Sequence, residues 1–134
     1  MEQLRVLLAD DHAGFRAMVA AFLSAQRNVA IVGEAGDGDE AVNQAGRLHP
    51  DLVLMDIKMP KRNGFDAARS IKGISPSTQV VMLSFNADES YRRMARQHLA
   101  DGFIDKSSMK QSLINLIASQ RALLFGSAMN AQAA

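Results

Sequence analysis

The sequence predicts an α/β fold, one parallel sheet with helices on both faces, and three observations lead there. Five short apolar runs alternate with five segments of helical spacing along the 134 residues. Most of the runs are continuously apolar, as strands covered on both sides must be. A helix-length segment separates each run from the next, which is the crossover that parallel pairing requires.

In chain order, the first strand is expected at residues 5–9, where Asp10 and Asp11 stop it. Phe15, Met18, Val19, Phe22 and Leu23 then recur as one face of a helix. The second strand, at 29–33, leads to the stripe Ala41, Val42, Ala45 and Leu48, with Asp37 and Glu40 at capping-box spacing. Pro50 and Asp51 break that helix before a strand at 52–55. Residues 60–64 form a loop, and Phe65, Ala68 and Ile71 mark the third helix. A fourth strand at 79–83 precedes the stripe Tyr91, Met94, Ala95, His98 and Leu99. The fifth strand, at 102–104, is followed by a second capping-box pair, Ser108 with Gln111. Leu113, Leu116, Ile117, Gln120 and Leu124 trace the last helix. One domain is thus expected over residues 1–124, with 125–134 a small, polar, aperiodic tail or the start of a linker.

Composition narrows the class. An apolar share of 48% and a charged share of 22% are those of an ordinary soluble globular domain. A formal net charge of +1 gives no basic surface for nucleic acid. The nearest thing to a cluster is Arg92, Arg93 and Arg96, which one helix face is expected to carry into solvent. The absence of cysteine excludes disulfides, thiolate metal sites and cysteine nucleophiles, and agrees with a cytoplasmic location. No apolar stretch is long enough for a signal or a membrane span, so no membrane contact is expected. His12, His49 and His98 have no spacing that suggests a metal site or a triad, and none receives a role.

In an open α/β sheet, ligands gather at the carboxyl ends of the strands. This chain places Asp10 and Asp11 after the first strand, Asp56 after the third, Ser84 after the fourth and Lys106 after the fifth. Three carboxylates in one pocket repel and raise one another's pKa. A hard divalent cation relieves that, and Mg2+ prefers such oxygen ligands. Asp56 is the candidate nucleophile, since a carboxylate can accept a phosphoryl group as an acyl phosphate. Lys106, the Ser84 hydroxyl and Mg2+ would each neutralise one phosphoryl oxygen. Taken singly, each residue also has a plain structural reading: Asp10 and Asp11 as helix caps, Lys106 paired with Asp105, Ser84 capping the next helix.

The combination resembles the receiver domains of bacterial response regulators. The resemblance rests on Val6-Leu7-Leu8-Ala9-Asp10-Asp11-His12, on residues 51–60 ending Met55-Asp56-Ile57-Lys58-Met59-Pro60, and on Asn63-Gly64. Val80-Val81-Met82-Leu83-Ser84 and Asp101-Gly102-Phe103-Ile104-Asp105-Lys106 complete it. Val32-Gly33-Glu34-Ala35 and Lys106-Ser107 look most like receivers of LuxR-type regulators. The resemblance implies a doubly wound, flavodoxin-like (βα)5 sheet in the order 2-1-3-4-5. It implies that Asp56 is phosphorylated from a sensor histidine kinase or phosphotransfer protein. Asp11 and Asp56 would hold Mg2+ by side chain, Lys58 by its backbone carbonyl, and Asp10 largely through water. Lys106 and Ser84 would contact the phosphoryl group, and Ser84 with Phe103 would form the switch. The implied outcome is a reshaped face of the fourth helix, fifth strand and fifth helix, recognised by partners, a second protomer or an attached output domain. Such a module is phosphorylated once and hydrolyses slowly, and is not a turnover enzyme. About ten residues follow the last expected helix, which fits either a stand-alone receiver or the N-terminal part of a longer regulator, and this part itself is expected to touch no nucleic acid.

Three positions depart from that family's usual pattern. Phe85 stands where a small residue is common, and either narrows a donor's approach or packs away. Leu99 replaces a common glycine, so the turn before the fifth strand is expected to differ. Phe103 lacks the hydroxyl of the more frequent tyrosine. Three rival readings accompany the main one. Residues 36–41, Gly-Asp-Gly-Asp-Glu-Ala, fit a dinucleotide-binding turn, though their acidic residues would meet a pyrophosphate. A phosphatase using an aspartyl intermediate would share Asp56, but Lys58 sits where its second carboxylate belongs. A degenerate receiver would bind partners without phosphorylation.

Overall fold

The computed structural model describes residues 3–125, with side-chain surroundings as far as Gln120. Beyond Phe125, the expected tail at 125–134 lies outside the described residues, as does the side chain of Leu124. The strands are β1 (Leu4–Ala9), β2 (Val29–Ala35), β3 (Leu52–Asp56), β4 (Gln79–Ser84) and β5 (Gly102–Asp105). The helices are α1 (Ala13–Ser24), α2 (Gly38–Leu48), α3 (Gly64–Ile74), α4 (Glu89–Gln97) and α5 (Met109–Phe125). All pairings are parallel, in the order β2-β1-β3-β4-β5.

The continuous apolar runs follow from two cores. Successive strand side chains point to opposite faces. Leu7, Ala9, Val53, Met55, Val80 and Met82 therefore meet α2, α3 and α4 through Ala41, Ala45, Phe65, Ala68, Ile71 and Ala95. Leu4, Val6, Leu8, Leu52, Leu54, Val81 and Leu83 face α1 and α5 through Val19, Leu23, Met109, Leu113 and Ile117. Each fully buried Leu or Val stabilises the fold by about 1.5–3 kcal/mol relative to exposure. No helix among the described residues is long and apolar enough to cross a membrane.

Register then sets the functional edge. Ala9 lies opposite Met55, so Asp10 and Asp56 leave the sheet at the same rank. Asp56 in turn pairs with Leu83, and Ser84 with Asp105, which carries Lys106 one residue further out.

Several local expectations change. Asp37 caps α2 by accepting the Glu40 amide at 2.8 Å, but Glu40 reaches the Gly36 amide at 3.3 Å instead of closing the box on Asp37. The pair Ser108 and Gln111 does not start α5: a 3-10 turn, Lys106–Ser108, precedes it, and Asp105 accepts the Ser107 amide at 2.9 Å. Asp88 caps α4 by accepting the Tyr91 amide at 3.0 Å, so Ser84 is not its cap. The α4 stripe is mainly surface, with Ala95 its buried member and Met94 and Leu99 exposed. Nor do all three arginines point to solvent. Arg92 lies with its guanidinium carbon 4.9 Å from the centre of the Phe103 ring and donates from Nε to the Ala87 carbonyl at 2.9 Å.

The turn before β5 does not differ from a glycine turn. Leu99 takes φ 67°, and the Ala100 amide bonds back to Ala95 while the Leu99 amide bonds to Arg96. That is the closure a C-terminal glycine normally makes, held here by a residue with a Cβ. Leu99→Gly is expected to raise stability by about 0.5–1 kcal/mol, because little burial is lost and the backbone relaxes. A thermal melt measures this, and a lowered midpoint would contradict it.

Candidate functional site

Three loops meet at the carboxyl edge of the sheet. The β1–α1 loop is drawn tight by its own hydrogen bonds. The Asp10 carboxylate accepts the His12 amide at 2.8 Å, and His12 Nδ1 accepts the Phe15 amide at 3.0 Å, which makes His12 the N-cap of α1. Asp10 and Asp11 are therefore free of the capping role. Asp56 ends β3, and Gly64 returns to it: the Gly64 amide donates to the Ile57 carbonyl at 2.6 Å.

Lys106 joins the loops. Its Nζ lies 3.1 Å from Asp10 Oδ2 and 3.1 Å from Asp56 Oδ1, and its side chain is only 8% exposed. It is not paired with Asp105, which instead caps the turn after β5. Carboxylate oxygens of Asp10, Asp11 and Asp56 lie within 4.8 Å of one another. At an effective dielectric of about 20, each such carboxylate pair repels by roughly 3 kcal/mol, and each Lys106 contact returns about 5. The ammonium thus roughly cancels the repulsion and leaves desolvation uncompensated. Burial accordingly pushes the Asp56 carboxyl above its usual range; Lys106 opposes the rise and Asp10 adds to it.

These groups line a cavity of about 210 Å³ bounded by Asp10, Asp11, His12, Phe15, Asp56, Phe85 and Lys106. Ser84 is buried beside it but outside the lining, with its hydroxyl accepting the Asn86 amide at 3.0 Å. Lys58 is exposed and borders a neighbouring groove that shares Asp11 and includes Met59, Pro60, Tyr91 and Met94. Phe103 is half-buried under Arg92, against the core on the α2, α3 and α4 side. The structure therefore gathers Asp10, Asp11, Asp56 and Lys106, keeps Ser84 and Lys58 at the margin, and leaves Phe103 outside, lining a separate cavity with Arg92 and Arg96.

Three residues of the site have no assignment from sequence alone. His12 borders the cavity as well as capping α1. Phe15, one of a helical stripe, places its ring centre 4.2 Å from Lys106 Nζ. Arg16 donates from Nη1 to the Asp10 carbonyl at 2.5 Å and from Nε to Glu34 at 3.0 Å, tying the loop to β2. The signal available for Phe15 and Arg16 was their place on the first turn of the helix that follows Asp10 and Asp11.

The acidic glycine turn offers no cradle. The Gly36 amide is taken by Glu40 and the Gly38 amide by the Pro60 carbonyl. Gly38 is required for packing, since a Cβ there would overlap the Arg62 carbonyl. Gly64 has the same necessity at the site: a Cβ would stand 2.1 Å from the Asp56 carbonyl oxygen and 2.8 Å from Ile57 Cα. Gly64→Ala is expected to cost about 2–4 kcal/mol of stability and to displace Asp56. Urea melts check this, and a variant as stable as the parent would contradict the packing.

A family model described as the response regulator receiver domain matches residues 6–118. The chain is 34% identical over 116 residues to the transcriptional regulatory protein YxjL of Bacillus subtilis, covering 87% of this chain and 53% of that protein. It thus spans about half the length of that relative. The receiver domain of the response regulator NarL from Mycobacterium tuberculosis superposes with a TM-score of 0.84 at 31% identity, covering 89% of this chain and 96% of the other. A LuxR-family two-component response regulator from Aurantimonas gives 0.83 at 26% identity, over 88% of this chain and 84% of the other.

Proposed function

The chain belongs to the response-regulator receiver family, a class of signalling domains, and on that footing we propose that it accepts a phosphoryl group on Asp56. The observation that carries this reading is the buried ammonium of Lys106 bridging Asp56 and Asp10 beside Asp11. Asp56 is the one of the three carboxylates that ends a central strand, and the Gly64 amide braces the backbone of the next residue by donating to the Ile57 carbonyl. Its Oδ attacks phosphorus in line with the donor's leaving atom, whose bond to phosphorus breaks with the electron pair. Lys106, already within reach of Asp56, receives one phosphoryl oxygen, and Ser84 turns from the Asn86 amide to receive another.

The donor set fits Mg2+, since three carboxylates converge where one ammonium does not offset both repulsion and burial. Asp11 and Asp56 would hold it by side chain, Lys58 by its backbone carbonyl and Asp10 largely through water. When bound, Mg2+ supplies charge neutralisation for the phosphoryl oxygens.

The donor is a phosphohistidine of a sensor histidine kinase or phosphotransfer protein, and the setting is the cytoplasm. Phosphorylation moves Ser84 and reorients Phe103, which changes the α4-β5-α5 face and so the binding of a partner, a second protomer or an output domain. The domain contacts no nucleic acid itself, is phosphorylated once and hydrolyses slowly. Intact-mass spectrometry after incubation with acetyl phosphate tests the reading. One added phosphoryl group is expected with Mg2+ and none with EDTA. No added mass with any donor would replace it with a receiver that binds partners without phosphorylation.

A further inference from the structure

Phe85 is 70% exposed, although it sits at the mouth of an ionic pocket and directly follows Ser84. Its ring is nevertheless held in place. It meets Phe15 edge to face, with ring centres 6.4 Å apart and planes at 62°, and lies 5.5 Å from Lys106 Nζ. Shielding the ammonium does not require it, because the half-buried Phe15 ring is closer, at 4.2 Å. What Phe85 adds is an uncovered aromatic surface on the wall of the cavity that also holds Asp56, where a donor must enter. A π-face attracts flat aromatic and cationic groups and does not attract a carboxylate.

We propose that Phe85, braced by Phe15, is a specificity-determining residue that receives the imidazole ring of a phosphohistidine side chain during transfer to Asp56. The inference rests on the phosphorylation reading above and names the donor chemistry that this mouth selects. The transfer balances without any further reactant. The donor ring, protonated on its other nitrogen, breaks its P–N bond with the electron pair kept on nitrogen. An Asp56 Oδ–P bond forms, and neutral imidazole leaves along the aromatic wall. An acetyl phosphate donor releases an anionic carboxylate instead, which gains nothing from the ring.

The test compares two donors on the intact chain with Mg2+: phosphoimidazole, which is the reactive fragment of the phosphohistidine side chain, and acetyl phosphate. Transfer rates are measured for the parent, Phe85→Leu and Phe85→Tyr. The ratio of the phosphoimidazole rate to the acetyl phosphate rate is expected to fall about threefold to tenfold in Phe85→Leu, the range of a single aromatic contact. Phe85→Tyr keeps the ring and should keep the ratio. An unchanged or increased ratio in Phe85→Leu overturns the proposal and makes the ring an obstruction or a bystander. A parent labelled by acetyl phosphate at Asp56 with such a ratio leaves the phosphorylation reading intact. A parent labelled by neither donor overturns both.

Discussion

Asp56→Asn is expected to abolish acyl phosphate formation while leaving the fold intact. The amide is nearly isosteric with the carboxylate but lacks the nucleophilic charge, so transfer should fall below detection. The fold should tolerate it because the native carboxyl is itself disfavoured: burial, reinforced by Asp10, raises its pKa despite Lys106. Lys106 keeps its contact with Asp10, 3.1 Å away. The thermal midpoint of the variant without Mg2+ should equal or exceed that of the parent. Phosphorylation that survives the substitution would remove Asp56 from the mechanism.

Lys106→Ala is expected to cost about 2–4 kcal/mol of stability at neutral pH without Mg2+. The ammonium is the common partner of Asp10 and Asp56, and its side chain is nearly sealed from water. Losing it leaves three carboxylates facing one another, and the Asp56 pKa, already raised, rises further. A group with a raised folded pKa contributes most stability below its unfolded pKa and loses it as pH rises through the folded value. The deficit should therefore shrink on acidification, so urea melts at about pH 5 and about pH 8 should differ in the size of the effect. Mg2+ binding should persist in this variant, and added Mg2+ should recover part of the loss. Phosphorylation should no longer change the α4-β5-α5 face. A deficit that grows on acidification would show that Lys106 does not act by compensating these charges.

How much of this was legible in the sequence depended on whether the cause was local. The strands were readable because both faces of β1, β3 and β4 are buried, so Leu52 to Met55 and Val80 to Leu83 are apolar without interruption. Asp10, Asp11, Asp56 and Lys106 were readable because each ends a strand or lies within two residues of its end, and parallel strands bring those positions to one edge. The limits of α4 and α5 were less so. Met94 and Leu99 continue a helical stripe that the fold leaves at the surface, and Asp105, not Ser108, caps the turn before α5. The aromatic wall was invisible for a different reason. Phe15, Phe85 and Lys106 come from three separate loops or helix starts, and no spacing along the chain records that they meet. Phe15 also satisfies a helical stripe, so its pattern pointed to the core. Arg92 was misplaced because its contact with Phe103 depends on the path of the β4–α4 loop.

The most direct test of the central claim is to locate the phosphoryl group by chemistry. The protein is incubated with acetyl phosphate and Mg2+, reduced with borohydride, digested and sequenced by mass spectrometry. An acyl phosphate is reduced to the alcohol under these conditions, whereas free carboxylates and phosphoserine are not. Conversion at residue 56 and nowhere else is the result expected. A stable phosphate on Ser84 or a histidine, or reduction at Asp10 or Asp11 in place of Asp56, would contradict it.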